Sequence, residues 1–188
     1  MGIRADARAN TRERILSAIV TLYCERYYDE ITLDDVAQRS GVTTQTVIRH
    51  FGGKDGLLVA AGAEVAHRVS ADRDTVPVGN VSVAVRNLVA HYEEWGDVVL
   101  RSLAQEDRFP SIHVLMDGGR RLHEEWVERT FAPFLVRRRG PSRERRFAQL
   151  AAITDVYFWK LLRRDRGLDV DKTVRTIEDL LNQLKDAR

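Results

Sequence analysis

An all-α fold in two domains is predicted by three features of the sequence. Apolar residues recur at helical spacing through most of the chain. Residues 31 to 58, ITLDDVAQRSGVTTQTVIRHFGGKDGLL, read as two short capped helices joined by a glycine. No stretch alternates apolar and polar residues for the length of a strand. The expected layout is an N-terminal three-helix domain at 1–58, with 54–72 as a connecting helix, and a C-terminal helical domain at 73–188.

Each element has its own signal. Residues 1–10 are polar and carry Arg4 and Arg8, so they read as a flexible arm. Thr11 is a plausible cap for a first helix from Arg12 to Tyr28, striped by Ile15, Leu16, Ile19, Val20, Leu22 and Tyr23. Thr32 is an N-cap with Asp35 in the capping-box position, and Ile31 and Val36 stand at staple spacing. Gly41 ends that helix by supplying a positive φ. Thr43 caps the next helix, Thr44 to Phe51, with Val42 and Val47 as a second staple. A helix over 54–72 follows. Periodicity lapses near Ala71 to Asn80, at Pro77 and Gly79.

The remainder reads as helices. Asn80 would cap Val81 to Trp95, and Asp97 a short helix through Ala104. Ser111 to Arg138 is longer, with Gly118-Gly119 and Pro133 as weak points. Ser142 to Arg164 and Asp169 to Ala187 complete the set.

Two capped helices around one glycine turn are the layout of a helix-turn-helix, whose second helix enters a DNA major groove. Val47 and Phe51, four apart, would anchor that helix, leaving Thr44, Gln45, Ile48 and Arg49 on the other side. Glutamine pairs with adenine at two points and arginine with guanine; a threonine methyl, from Thr44 or Thr46, suits a thymine methyl. The same pattern also fits the solvated face of an ordinary helical bundle.

Residues 12 to 60 resemble the DNA-binding domain of the TetR family of transcriptional regulators. The likeness is carried by Thr32, Val36-Ala37, Gly41-Val42-Thr43, Thr46-Val47-Ile48, His50-Phe51, Lys54 and Leu57-Leu58. The resemblance implies phosphate contacts from Thr32, Thr43, His50 and Lys54, and base-facing positions at Thr44, Gln45, Thr46 and Arg49. Two positions depart from the family pattern. Ile48 stands where the family has a tyrosine that reaches phosphate, so it would offer an apolar contact instead. Tyr27 stands where the family has glycine at the end of the first helix.

From Phe147 to Leu162 the chain is apolar on more than one side, and Val170, Val174, Ile177, Leu181 and Leu184 stripe the last helix. One reading is a helix at the centre of the monomer core. The other, which the resemblance implies, is a four-helix homodimer interface including Leu150, Ile153, Tyr157, Leu161, Val174, Ile177, Leu181 and Leu184. The middle helices offer His91, Tyr92, Trp95, Phe109, His113, Met116, Trp126 and Phe134. They fit plain aromatic core or the walls of a small-molecule pocket.

Composition narrows the function classes. The 188 residues carry 30 Lys+Arg and 28 Asp+Glu, a net charge of +2, and residues 1–58 hold as many acidic as basic side chains. Charge therefore gives no warrant for a polyanion partner; placement must. A single cysteine excludes an internal disulfide and fits a reducing cytoplasm. Without a signal segment or an apolar run near roughly 18 residues, a cytoplasmic chain with no membrane partner is expected. Gly52-Gly53-Lys54-Asp55 lacks the earlier glycine and the Ser/Thr of a phosphate loop, and Val127 replaces the second histidine after His123-Glu124. Cys24 reads as a small core residue, and the arginine-rich run at 137–146 as a solvated loop.

No catalytic group, metal or cofactor is expected. The reading is a DNA-binding transcriptional regulator, a repressor, acting as a homodimer on a palindromic double-stranded operator and answering to an unknown small-molecule effector. Two rivals remain: the same fold controlled by a protein partner, and an enzyme with a vestigial helix-turn-helix.

Overall fold

The computed structural model describes residues 2–136 and 138–186. Met1, Arg137 and Ala187, each part of a segment read above, lie outside the described residues. Ten α-helices and no strand are found among the described residues: α1 (Gly2–Glu25), α2 (Leu33–Ser40), α3 (Thr44–Phe51), α4 (Lys54–Asp74), α5 (Val81–Leu103), α6 (Pro110–Thr130), α7 (Ala132–Leu135), α8 (Pro141–Ile153), α9 (Val156–Lys160) and α10 (Val170–Asp186).

The first helix begins nine residues before the expected cap at Thr11. Instead of capping, the Thr11 hydroxyl donates back to the Ala7 carbonyl at 2.9 Å, a mid-helix bond. The polar run before it contains Ala5, Ala7 and Ala9 among arginines, all strong helix formers, so the arm is helical from Gly2. The far end stops at Glu25. Tyr27 is extended, φ −68° and ψ 151°, and leads into a single 3₁₀ turn at Tyr28–Glu30. The backbone there needs no left-handed residue, which is how the chain dispenses with glycine at this position.

The middle of the chain is more continuous than its capping residues suggest. Asp97 does not start a new helix: α5 runs through it unbroken. Its carboxylate instead takes both Arg164 Nε (3.0 Å) and Nη2 (2.8 Å). Gly96 before it is not a breaker either. A Cβ there would lie 2.5 Å from Cζ3 of Trp159, so the glycine admits the indole against the helix. Gly118-Gly119 likewise leaves α6 intact, whereas Pro133 coincides with the break between α6 and α7.

A break also interrupts Ser142 to Arg164. Thr154 and Asp155 leave the helix, and Asp155 caps α9 by accepting from the Tyr157 amide at 2.8 Å. A π-helical turn, Leu161–Asp165, follows α9. Extra-residue turns of this kind reposition side chains within a helix.

Two compact units result. The first holds 1–67 with 101–116; the second holds 68–100 with 117–188. The segment 101–116 thus packs with the N-terminal helices rather than with the C-terminal domain expected from residue 73. The reason is a polar and aromatic seam. Tyr23 and Ser102 hydroxyls meet at 2.8 Å, Ser111 donates to Asp55 at 2.6 Å, and the rings of Tyr28 and Phe109 stand 5.2 Å apart edge to face. Ile15, Ile19, Leu22, Ile31, Val36, Val47, Leu57 and Ile112 are buried in this unit.

Around Trp126, Trp159, Phe131, Leu88 and Val89, the second unit closes its own core. Leu150, Val174, Ile177 and Leu181, expected at a dimer interface, are buried within the protomer here, which is the monomer-core alternative for those four. Ile153 and Leu184 are half-buried, while Tyr157 (57%) and Leu161 (42%) stay exposed. The eight aromatic-pocket positions are divided: Phe109, His113 and Met116 belong to the first unit, the other five to the second. Cys24, expected in a core, is exposed. The arginine run at 137–146 is partly tethered, with Arg143 paired to Glu128 and Arg146 bonded to the Leu184 carbonyl. No helix among the described residues is long and apolar enough to cross a membrane, and no cluster there would hold a metal.

Candidate nucleic-acid interface

Local chemistry fixes where α3 points. Thr32 accepts from the Asp35 amide at 3.1 Å while Asp35 accepts from the Thr32 amide at 2.8 Å, so aspartate closes a full capping box despite its shorter reach. Gly41 takes φ 66° and ψ 39° to end α2, and Thr43 caps α3 by accepting from the Thr46 amide at 3.3 Å. Arg14 of α1 seals this turn, its guanidinium donating to Ser40 and Gly41 carbonyls, each with a 3.0 Å bond. Helix C-termini carry partial negative charge, so a guanidinium there is well placed.

With Val47 buried, α3 exposes Gln45 and Arg49, four apart on one face, and Ile48 is 38% exposed. Thr46 is half-buried and its hydroxyl lies 2.9 Å from that of Thr43. Thr44 is also half-buried, and its hydroxyl donates to the Asp34 carboxylate, leaving its methyl as the free group. The Thr32 hydroxyl is exposed but bonded to Asp35 at 2.6 Å.

Lys54, at the first turn of α4, is oriented by the protein itself. Its ammonium donates to the carbonyls of Tyr28 (2.5 Å) and Ile31 (2.6 Å). Desolvation lowers its pKa from the ordinary lysine value, with Asp55 opposing that shift most strongly.

Beside α3 lies an open concavity of about 770 Å³ lined by Arg8, Arg14, Thr43, Thr46, Arg49 and His50, among others. It is an electropositive place. His50 is held below the usual histidine value first by desolvation, then by the positive charges of Arg8, Arg49 and Arg12. Arg8 and Arg12 belong to the stretch whose sequence predicts a flexible arm and a first turn, and the concavity exists because α1 is helical there. Their four-residue spacing was the available signal. A face that gathers arginines around an exposed Gln/Arg pair, in a chain of nearly neutral net charge, suits a polyanion with readable edges.

Comparison with known proteins agrees with this geometry. Residues 15–61 match the family model described as bacterial regulatory proteins, tetR family. The HTH-type transcriptional regulator AlkX of Mycobacterium tuberculosis is 35% identical over 63 residues, which is 34% of this chain and 30% of AlkX. A transcriptional regulator from Rhodococcus superposes with a TM-score of 0.71 at 17% identity, covering 92% of this chain and 95% of that one. One from Saccharomonospora viridis, solved in complex with choline, gives 0.68 at 20% identity, covering 93% and 96%. The chain thus spans under a third of its matched relative AlkX, and the solved structures share its fold over nearly the whole length. Over residues 15–61, this chain is thus similar to the bacterial regulatory proteins of the tetR family.

Proposed function

We propose that this protein is a transcriptional repressor that binds a palindromic operator as a homodimer and releases it when a small molecule occupies its C-terminal unit. The observation that carries the reading is the face of α3. Gln45, Ile48 and Arg49 are exposed there beside a concavity lined by Arg8, Arg14 and His50. Gln45, Thr46, Ile48 and Arg49, with the Thr44 methyl, face bases. Arg8, Thr43, His50 and Lys54 lie on phosphates, and Thr32 acts through the cap that aims α2.

Dimerisation uses the apolar residues that the protomer core leaves uncovered, Tyr157 and Leu161 with Ile153 at their edge. Two reading heads must reach half-sites roughly 34 Å apart or a multiple of it, so a ligand that favours another helix arrangement spoils simultaneous docking. A regulator of the same fold is solved in complex with choline, which supports control by a small ligand.

Selection of bound sites from random double-stranded DNA tests the reading. It expects a two-fold symmetric site, and release by members of a metabolite panel. Enrichment of no sequence overturns it. Sedimentation at micromolar concentration tests the interface: Tyr157→Glu with Leu161→Glu turns a dimer into a monomer, and a wild-type monomer removes the dimer from the proposal.

A further inference from the structure

Arg73 ends α4 in the run Ala71-Asp72-Arg73-Asp74, where a charge would ordinarily face water. Its two aspartate neighbours do so; Arg73 is only 4% exposed. The guanidinium lies over the Trp126 ring, 5.2 Å from its centre, and Nε meets no acceptor among the described residues. Three further buried atoms of α6 are equally without a partner: His123 Nδ1, Trp126 Nε1 and Thr130 Oγ1.

Arg73, Trp126 and His123 form one cluster. The His123 and Trp126 rings stack at 5.7 Å. His123 Nε2 sits 3.4 Å from the Ala151 carbonyl and 3.2 Å from Thr154 Oγ1, whose own proton goes to the Leu150 carbonyl at 2.7 Å. Nε2 therefore carries the hydrogen, and Nδ1 presents a bare lone pair. The Tyr92 hydroxyl donates to the Thr154 carbonyl at 3.1 Å and lies against the guanidinium.

Among the described residues no carboxylate is hydrogen-bonded to Arg73, although the charge of Asp72 acts on it. Asp72 accepts from Asn87 at 2.7 Å, Asp74 pairs with Arg129, and Asp155 caps α9. Arg129, its charge met by Asp74, donates to the Arg73 carbonyl at 3.2 Å. A buried charge without a bonded counter-ion is costly to the fold, and a planar guanidinium is matched by a planar two-oxygen anion. Apolar surface adjoins it: Trp126, Phe131 and Phe134 meet edge to face at 5.5 and 5.6 Å.

We propose that Arg73 anchors a site for a small organic carboxylate, with the carboxylate on the guanidinium and the ligand's apolar body on the Trp126–Phe131–Phe134 cluster. This rests on the ligand-controlled reading above and names the chemical class of the ligand. Burial, and then the charge of Arg73, lower His91 and His123 to about 4, so both are neutral at pH 7 and the site holds one fixed cation. A monoanion suits it. As the anion enters, its charge favours uptake of one proton from solvent at His123 Nδ1, and the resulting imidazolium donates to the second carboxylate oxygen.

The test uses the full-length protein with benzoate, phenylacetate and octanoate against their primary amides, which match them in shape but carry no charge. At least one acid should raise the melting temperature and alter tryptophan fluorescence, binding about tenfold or more tighter than its amide. Arg73→Gln should erase that preference, while Arg73→Lys should retain part of it. The wild-type comparison stands even where a variant fails to fold. Equal binding of acids and amides, or no acid bound at about 10 mM, overturns the proposal. Release of DNA by neutral or cationic compounds alone would overturn it while leaving ligand control intact. Acids that bind through Arg73 without releasing DNA would support the site and count against ligand control.

Discussion

The ammonium of Lys54 lies 4.1 Å from the centre of the Tyr28 ring and donates to the Tyr28 carbonyl at 2.5 Å. One lysine thus closes the 3₁₀ turn after α1, through Tyr28 and Ile31, before any DNA arrives. A lysine that only touched phosphate would contribute nothing to the free protein. Lys54→Ala should therefore lower the stability of the unliganded protein by about 2 kcal/mol, the scale of hydrogen bonds from a charged donor. In the proposed complex its third N–H serves phosphate, so the slope of log affinity against log salt should also flatten by about one. Denaturant melts and salt-series binding assays check the two effects separately.

The side chains proposed to face bases and those proposed to face phosphates should separate by what they do to preference. Gln45→Ala and Arg49→Ala should each cost about 1–3 kcal/mol on the preferred site and relax choice at one base position per half-site. Arg8→Ala should weaken every sequence alike and reduce the salt slope. Binding to a library of single-base variants distinguishes them, and uniform loss for all three would refute the assignment.

Gly96→Ala looks conservative in a helix, where alanine is favoured by up to about 1 kcal/mol. Here the new methyl would meet the Trp159 ring at 2.5 Å and 2.6 Å. The indole is also held by its N–H bond to Glu93 at 2.8 Å, so it cannot retreat freely. A net loss of about 1–3 kcal/mol is expected, by denaturant melting.

His91 and His123 fall to about 4 in the fold, against an ordinary 6.5. Between those values the unfolded chain binds protons that the folded one refuses, so stability is full above about pH 6.5 and falls as pH drops toward 4. Each group contributes on the order of 1–3 kcal/mol to that loss. Urea midpoints measured from pH 7.5 to 4.5 should show the decline, and His91→Gln with His123→Gln should flatten it.

Local signals carried the N-terminal half of the sequence reading. Thr32 and Thr43 cap, Gly41 turns, and Val47 is buried, each decided by neighbours within four residues. The Gln45 and Arg49 face follows from the same spacing. What was illegible depends on distant partners. Asp97 looks like a cap until Arg164 claims it, 67 residues later. Arg73 looks solvated among aspartates until Trp126 covers it. The apolar stripe of α10 is real, but periodicity does not say whether the face meets its own protomer or another; Ile177 and Leu181 turn inward.

The early start of α1 has a thermodynamic consequence. An unstructured arm would have to order itself on the operator, spending conformational entropy and adding the heat-capacity change of a folding step. In this protein the backbone from Ala7 to Thr11 is already helical, so in the proposed complex Arg8 would meet a phosphate at no such cost. Association should then behave as a rigid docking, its heat capacity set by the surface buried and its rate by charge rather than by folding.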